Sequence, residues 1–193
     1  NVYGFLYNSS TNDTRFYIMN ADTHQVAFPG TSAGLTVVAM AYDHQAGEMY
    51  AIAADAAGTR GFYTVDLAVG SLTLVAPINS GEETIMTLAI DGEGNAYGLS
   101  YQATNSVLYS LDLTTGNCTE IGGTGHGLEY VQSTVWDHNT DQLFWAQYSK
   151  VETDRGQLFT IDPATGAATL CGTIGSGAEV TGLYTKNNEP VAP

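Results

Sequence analysis

"LYSLDLTTGNCTEIGGTGHG", residues 108–127, joins two short apolar runs through Asp-Leu-Thr-Thr-Gly and ends in glycine, and "LFTIDPATGAATLCGTIGSG", residues 158–177, writes the same phrase again. Each copy reads as a β-hairpin: an alternating run, a turn opened by Asp and closed by Gly, then a second run. Recurrence of a whole hairpin at a fixed distance is the mark of a repeat fold.

Working outward, "RFYIMNADTHQ", "GFYTVDLAVGS", "VLYSLDLTTGN" and "QLFTIDPATGA" align on Asn20, Asp66, Asp112 and Asp162, with steps of 46, 46 and 50 residues. Between them a second phrase recurs as "VVAMAYDHQAGEMYAIA", "IMTLAIDGEGNAYGLS" and "VQSTVWDHNTDQLFWAQ", anchored at Asp43, Asp91 and Asp137. Its last copy, "EVTGLYTKNNEP", puts Thr185 at the Asp position. One period therefore holds four short strands, a ("MTLAID"), b ("NAYGLS"), c ("VLYSLD") and d ("NCTEIG"), punctuated by glycine turns. Such a unit cannot bury both its faces alone, so units must stack around an axis as blades of a β-propeller.

The start "NVYGFLYN" matches the b phrase "NAYGLSYQ", and the chain ends soon after an a phrase. This predicts an all-β, four-bladed propeller of antiparallel strands whose last blade is split: strand a from residues near 179–185, strands b, c and d from residues 1 to about 28. Pairing the two would cover open strand edges, each new backbone hydrogen bond adding about 1 kcal/mol. The expected organisation is one domain over residues 1–186 and an extended tail, 187–193, leading toward further domains of the same polypeptide.

This pattern resembles the YVTN and NHL types of bacterial extracellular propeller repeat, whose consensus is close to LYxIDxxTGxxTxIG followed by LAxDxxGxLYA. The resemblance spans nearly the whole chain and implies an architecture and an extracellular or cell-surface setting. Such repeats occur in enzymes, adhesins and scaffolds, so it implies no activity.

A chain of 193 residues can bury a sizeable single core. Its 22 glycines and 13% charged residues fit many turns between short elements better than long amphipathic helices. Twenty acidic against five basic residues give a formal net charge of -15, which repels phosphate backbones and anionic lipid surfaces, so nucleic acid and membrane partners are disfavoured. No apolar run reaches spanning length, and "NVYGF" has neither the charged nor the apolar region of a signal peptide, so a secreted chain would be mature here. Cys118 and Cys171 fall at non-equivalent repeat positions without metal-site spacing, which leaves their pairing open and favours free thiols.

The repeated Asp66, Asp112 and Asp162 read as turn residues whose carboxylates accept backbone N–H bonds, and the repeated aromatics as packing between blades. Function is sought where one repeat departs from its siblings. Trp145 replaces Ala51, Gly98 and Gly4, and its indole would either stack on a sugar or fill a packing gap. The b-to-c connection of blade 3, "YSKVETDRGQ", is the longest of its kind and holds Lys150 and Arg155, while Arg60 and Arg15 occupy the corresponding connections of blades 1 and 4. These cations are candidates for an anionic group on the loop face, against the plainer reading that charges collect in loops.

On the opposite face, Asp43, Asp91 and Asp137 end the strands nearest the axis and are candidate Ca²⁺ ligands, unless they cap ordinary hairpins. His44 and His138 follow two of them in opposite blades; sharing a metal would require convergence across the channel, which turn histidines rarely achieve. No nucleophile elbow, zinc-protease helix or phosphate-cradling loop is present, which leaves converging carboxylates such as Glu82, Glu83 or Glu129 as the route to catalysis. The expectation is a non-catalytic recognition or adhesion module for a glycan or extracellular protein, with a hydrolytic propeller or a spacer domain as alternatives.

Overall fold

The computed structural model describes residues 1–8, 10, 13–81 and 83–185, and is built almost wholly from strands. The N-terminal sheet contains β1 (Val2–Asn8), β2 (Asp13–Met19) and β3 (Val26–Ala33). Blade 1 follows as β4 (Leu35–Asp43), β5 (Glu48–Asp55), β6 (Arg60–Val65) and β7 (Leu72–Pro77). Blade 2 is β8 (Ala89–Ile90), β9 (Ala96–Leu99), β10 (Val107–Leu111) and β11 (Cys118–Gly123). Blade 3 is β12 (Ser133–Asp137), β13 (Gln142–Gln147), β14 (Gln157–Ile161) and β15 (Ala168–Thr173). All pairings within the sheets are antiparallel between chain neighbours, the up-and-down order of propeller blades.

The repeated turn chemistry behaves as its residues dictate. Asp112 Oδ1 accepts the N–H groups of Thr114 and Thr115, and Gly116 at φ +75° closes the turn by donating to the Asp112 carbonyl at 2.8 Å. Asp66 and Asp162 bond their turns alike. The hydrogen bonds from Thr115 and Thr114 hold the Asp112 carboxyl below its usual range, and those from Ala164 and Thr165 do the same for Asp162. In the N-terminal blade Asn20 takes the Asp role, accepting from Asp22 and Thr23, and His24 takes the glycine place at φ +57°. A bulge interrupts the c–d pair of every blade at the same repeat position, Phe16/Ile18, Phe62/Tyr63, Leu108/Tyr109 and Leu158/Phe159, adding the local twist that fans the blades.

Neighbouring blades meet by seating the c–d turn of one against strand d of the one before. Asn79 after β7 bridges Asn117 in parallel, with its N–H bonded to the Gly116 carbonyl at 2.7 Å. A methyl group added at Gly122 of β11 would lie 2.2 Å from the Thr165 carbonyl oxygen, so only glycine permits that approach without a shift. Buried clusters fill three seams. Phe16, Ala51 and Val65 join the N-terminal blade to blade 1; Ile52, Phe62, Ile85 and Leu111 join blades 1 and 2; Leu99, Leu108, Trp145 and Phe159 join blades 2 and 3.

The fourth seam differs. Leu158, equivalent to the fully buried Phe16, Phe62 and Leu108, is only half-buried, and nothing lies within 4 Å of a methyl group built at Gly172, the counterpart of Gly122. Residues 181–184 line the axial cavity together with Tyr3, Gly4, Phe5 and Tyr7 of β1, the place expected for strand a of the split blade. No ladder joins residues 178–185 to β1 among the described residues; Thr185 is instead held by its hydroxyl, which donates to the Trp136 carbonyl at 3.1 Å. The expected tail, 187–193, lies outside the described residues. Cys118 and Cys171 are free thiols, and burial pushes the Cys118 thiol up to about 11.

Candidate binding cavity on the ring axis

The innermost strands of the blades enclose a cavity of about 640 Å³. Its walls are Thr36 to Met40 of β4, Thr87 and Leu88 just before β8, Val131 to Thr134 at the start of β12, and Thr181 to Tyr184, with Tyr3, Tyr7 and Tyr17 from the N-terminal blade. None of these lining residues is charged, in a chain whose net charge is -15. The wall therefore combines tyrosines and uncharged polar residues with aliphatic side chains such as Val37, Val38, Met40, Leu88 and Leu183. Tyr17 lies against Gly4, its partner across the β1–β2 ladder, where an added methyl group would meet the ring at 2.4 Å.

Two wall residues show how the polar groups are used. Gln132 is buried and saturated: its Oε1 accepts from Trp145 Nε1 at 3.0 Å and from the Tyr148 N–H at 3.0 Å, while its Nε2 donates to the carbonyls of Glu129 and Tyr148. Thr134 is its opposite. Its residue is 6% exposed and its hydroxyl oxygen is buried without a hydrogen-bond partner. A buried hydroxyl left unpaired costs about 1–3 kcal/mol, and this oxygen is shielded from the cavity as well as from water.

Next in sequence to the wall residue Val131, blade 3 carries a pair of tyrosines topped by cations. Tyr130 has φ +66°, a conformation a bulky residue seldom holds, and its ring lies 6.2 Å from that of Tyr148. Lys150 Nζ stands over the Tyr130 ring at 4.4 Å, and the Arg155 guanidinium over the Tyr148 ring at 5.9 Å. Lys150 and Arg155 are thus placed over neighbouring tyrosine rings. Arg60 is not: it is half-buried in blade 1, its Nη2 is 3.3 Å from Met86 Sδ, and its buried Nε has no partner. Burial lowers the Arg60 pKa from its ordinary value.

Trp145 corrects the expectation of an exposed sugar platform. Its indole is fully buried in the seam between blades 2 and 3, where it sits 5.8 Å from Phe159, its ladder partner. The sibling pairs are Gly4 with Tyr17, Ala51 with Tyr63 and Gly98 with Tyr109, so blade 3 alone fills that space with an indole. Of its two expected roles it has the packing one.

The three aspartates of the turn face do not gather. Asp43 Oδ1 accepts from the N–H groups of Gln45 and Ala46, and Asp91 Oδ1 from those of Glu93 and Asn95. Asp137 binds Asn139 and the Thr140 hydroxyl, and these bonds hold its carboxyl below the usual range. Asp91 also contacts Tyr97, whose hydroxyl is pushed up to about 12 by burial and by that carboxylate. Among the described residues no set of three His, Cys, Asp or Glu side chains is placed to hold a metal, because each carboxylate folds back on its own turn. His44 and His138, by contrast, do converge, with ring centres 4.5 Å apart.

Of the carboxylates considered for catalysis, Glu83 binds Gln102 Nε2 and Glu129 binds Ser149 Oγ and the Lys150 N–H, while Glu82 lies outside the described residues. A feature the sequence reading passed over is a second cavity of about 640 Å³ at the blade 3 loop, lined by Glu152, Asp154 and Phe159. There His126 Nδ1 lies 3.1 Å from Glu152 Oε2, and its ring packs on Phe159 at 4.4 Å. Its only sequence signal was the acidic character of the long loop.

No protein-family model matches the chain, and no curated protein matches it. Solved structures do. A protein of unknown function from Bacteroides thetaiotaomicron superposes with a TM-score of 0.60 at 16% identity, over 89% of this chain and 41% of that one. The nidogen/laminin complex gives 0.59 at 13%, over 86% and 59%, and TolB from Acinetobacter baumannii gives 0.57 at 15%, over 87% and 40%. The likeness is one of fold. It supports the propeller architecture, and the chain spans between about two-fifths and three-fifths of the length of these structures. Among the described residues no helix is long and apolar enough to cross a membrane.

Proposed function

We propose that this domain is a non-catalytic extracellular recognition module of the YVTN/NHL-like type, and that its axial cavity takes a neutral glycan from the loop face. The observation that carries the reading is the uncharged lining of the cavity, tyrosine side chains beside threonines and a serine. Sugars are bound by that combination, an aromatic face for the C–H surface and fixed hydroxyls for the O–H groups. The cation-topped tyrosines of blade 3 stand on the loops leading into that wall and suit a carboxylate or protein group next to the bound sugar. A protein partner is supported by the occurrence of a similar fold in the nidogen/laminin complex.

Thr134→Val and Tyr184→Ala test the reading against an array of neutral oligosaccharides, followed by calorimetric titration of the best binder. Valine keeps the shape of threonine and removes the unpaired hydroxyl, so the free protein should become more stable while glycan affinity is kept, since that oxygen is shielded from the cavity. Tyr184→Ala should lower affinity by about three- to tenfold through loss of ring contact. Absence of neutral-glycan binding, or binding that Tyr184→Ala leaves unchanged, would remove the cavity from the assignment. A hydrolytic alternative has the His126–Glu152 pair in its favour, a base held by a carboxylate beside a cavity. Release of cleaved product from the same oligosaccharides, abolished by His126→Ala, would move the assignment there.

A further inference from the structure

We infer that His44 and His138 form a two-imidazole site for a divalent transition metal at the turn face of the ring, opposite the mouth assigned to the glycan. The two residues are equivalent, each following the aspartate of an a-to-b turn, but they come from blades 1 and 3. The fold brings their rings to 4.5 Å between centres with planes at 70°. With metal–nitrogen bonds of about 2.0–2.1 Å, two imidazoles on adjacent positions of one ion have ring centres about 4.5–5.5 Å apart. The observed spacing of the ring centres therefore falls within the range of a shared metal.

The intervening blade is shaped to leave that space open. Its residue at the equivalent position is Gly92, and a methyl group built there would come within 3.9 Å of His138 Nδ1. Blade 2 thus withholds a side chain where blades 1 and 3 each extend an imidazole. His44 is exposed, with its ring edge-on to Tyr42 at 5.0 Å as well as to His138, and His138 is half-buried. The ligand type selects the metal: imidazole suits Zn²⁺, Ni²⁺ and Cu²⁺, whereas Ca²⁺ requires oxygen donors. Among the described residues no third protein ligand is in place, so water would complete the coordination. The acidic chain favours any cation there.

Tag-free protein titrated calorimetrically with ZnCl₂, NiCl₂ and CuCl₂ at neutral pH tests the site. One ion per chain is expected, with a rise of a few degrees in Tm because an ion bound to both turns stabilises the folded ring. His44→Ala and His138→Ala should each weaken binding at least tenfold, and His24→Gly should leave it unchanged. Electron paramagnetic resonance of the Cu²⁺ form should show coupling to two imidazole nitrogens in the unmodified protein, a readout that needs no variant to fold. A single-nitrogen spectrum, affinity that survives either alanine variant, or no binding of any of the three ions at millimolar concentration would overturn the proposal.

Discussion

His24 stands where three sibling turns place Gly70, Gly116 and Gly166, and it adopts their left-handed backbone at φ +57°. Its N–H still closes the turn onto the Asn20 carbonyl at 2.9 Å, so the residue is held there by the turn while its Cβ crowds the backbone. His24→Gly should therefore raise stability by about 1 kcal/mol, read as a higher urea midpoint with an unchanged slope. A lower midpoint would mean that the exposed imidazole makes a contact worth more than the strain. Asp141 is the instructive contrast: it holds φ +56° in the blade 3 turn, but its carboxylate accepts from Trp136 Nε1 at 3.2 Å, so glycine there would relieve strain and lose a hydrogen bond together. Trp145 shows how far a single residue can be read from sequence. Its departure from Gly4, Ala51 and Gly98 was visible, but its burial was not, because part of what encloses it, Leu99 and Leu108 among others, comes from blade 2.

At the scale of the element, the strands and their Asp-to-Gly hairpins were legible because they depend on contacts within a few residues. The seams were not, since they depend on which backbone a neighbouring blade presents. Gly122 and Gly172 occupy the same place in strand d, yet only Gly122 is pressed against a turn, that of Thr165 and Gly166. Gly122→Ala is expected to destabilise the protein by about 1–3 kcal/mol through overpacking, while Gly172→Ala should stay within about 0.5 kcal/mol. Ala76, which fills the equivalent place in blade 1, sets the lower end of that range, because a seam can adjust to one methyl group. Equal effects from the two substitutions in thermal or denaturant unfolding would show that the fourth seam is as tight as the third.

Across the whole molecule, three seams are closed by buried clusters and the fourth is bordered by the cavity and a half-buried Leu158. The fourth seam is therefore the place where the ring should open first. Hydrogen exchange should be faster in residues 1–8 and 178–185 than in β9 and β13, and a bound neutral glycan should narrow that difference by tying the seam together. Uniform protection across all four blades would contradict this order of opening.

The sequence by itself determined the strand pattern, the number of blades, the turn chemistry and the acidic character, because hydrophobic alternation, Asp and Gly placement and net charge are local or additive properties. Only the tertiary structure decided that Trp145 is core, that Arg60 stands apart from Lys150 and Arg155, that Asp43, Asp91 and Asp137 remain separate, and that His44 and His138 meet. Those outcomes depend on how blades distant in the chain turn their faces toward a common axis, and repeat spacing places residues in equivalent positions without specifying what stands across the gap from them.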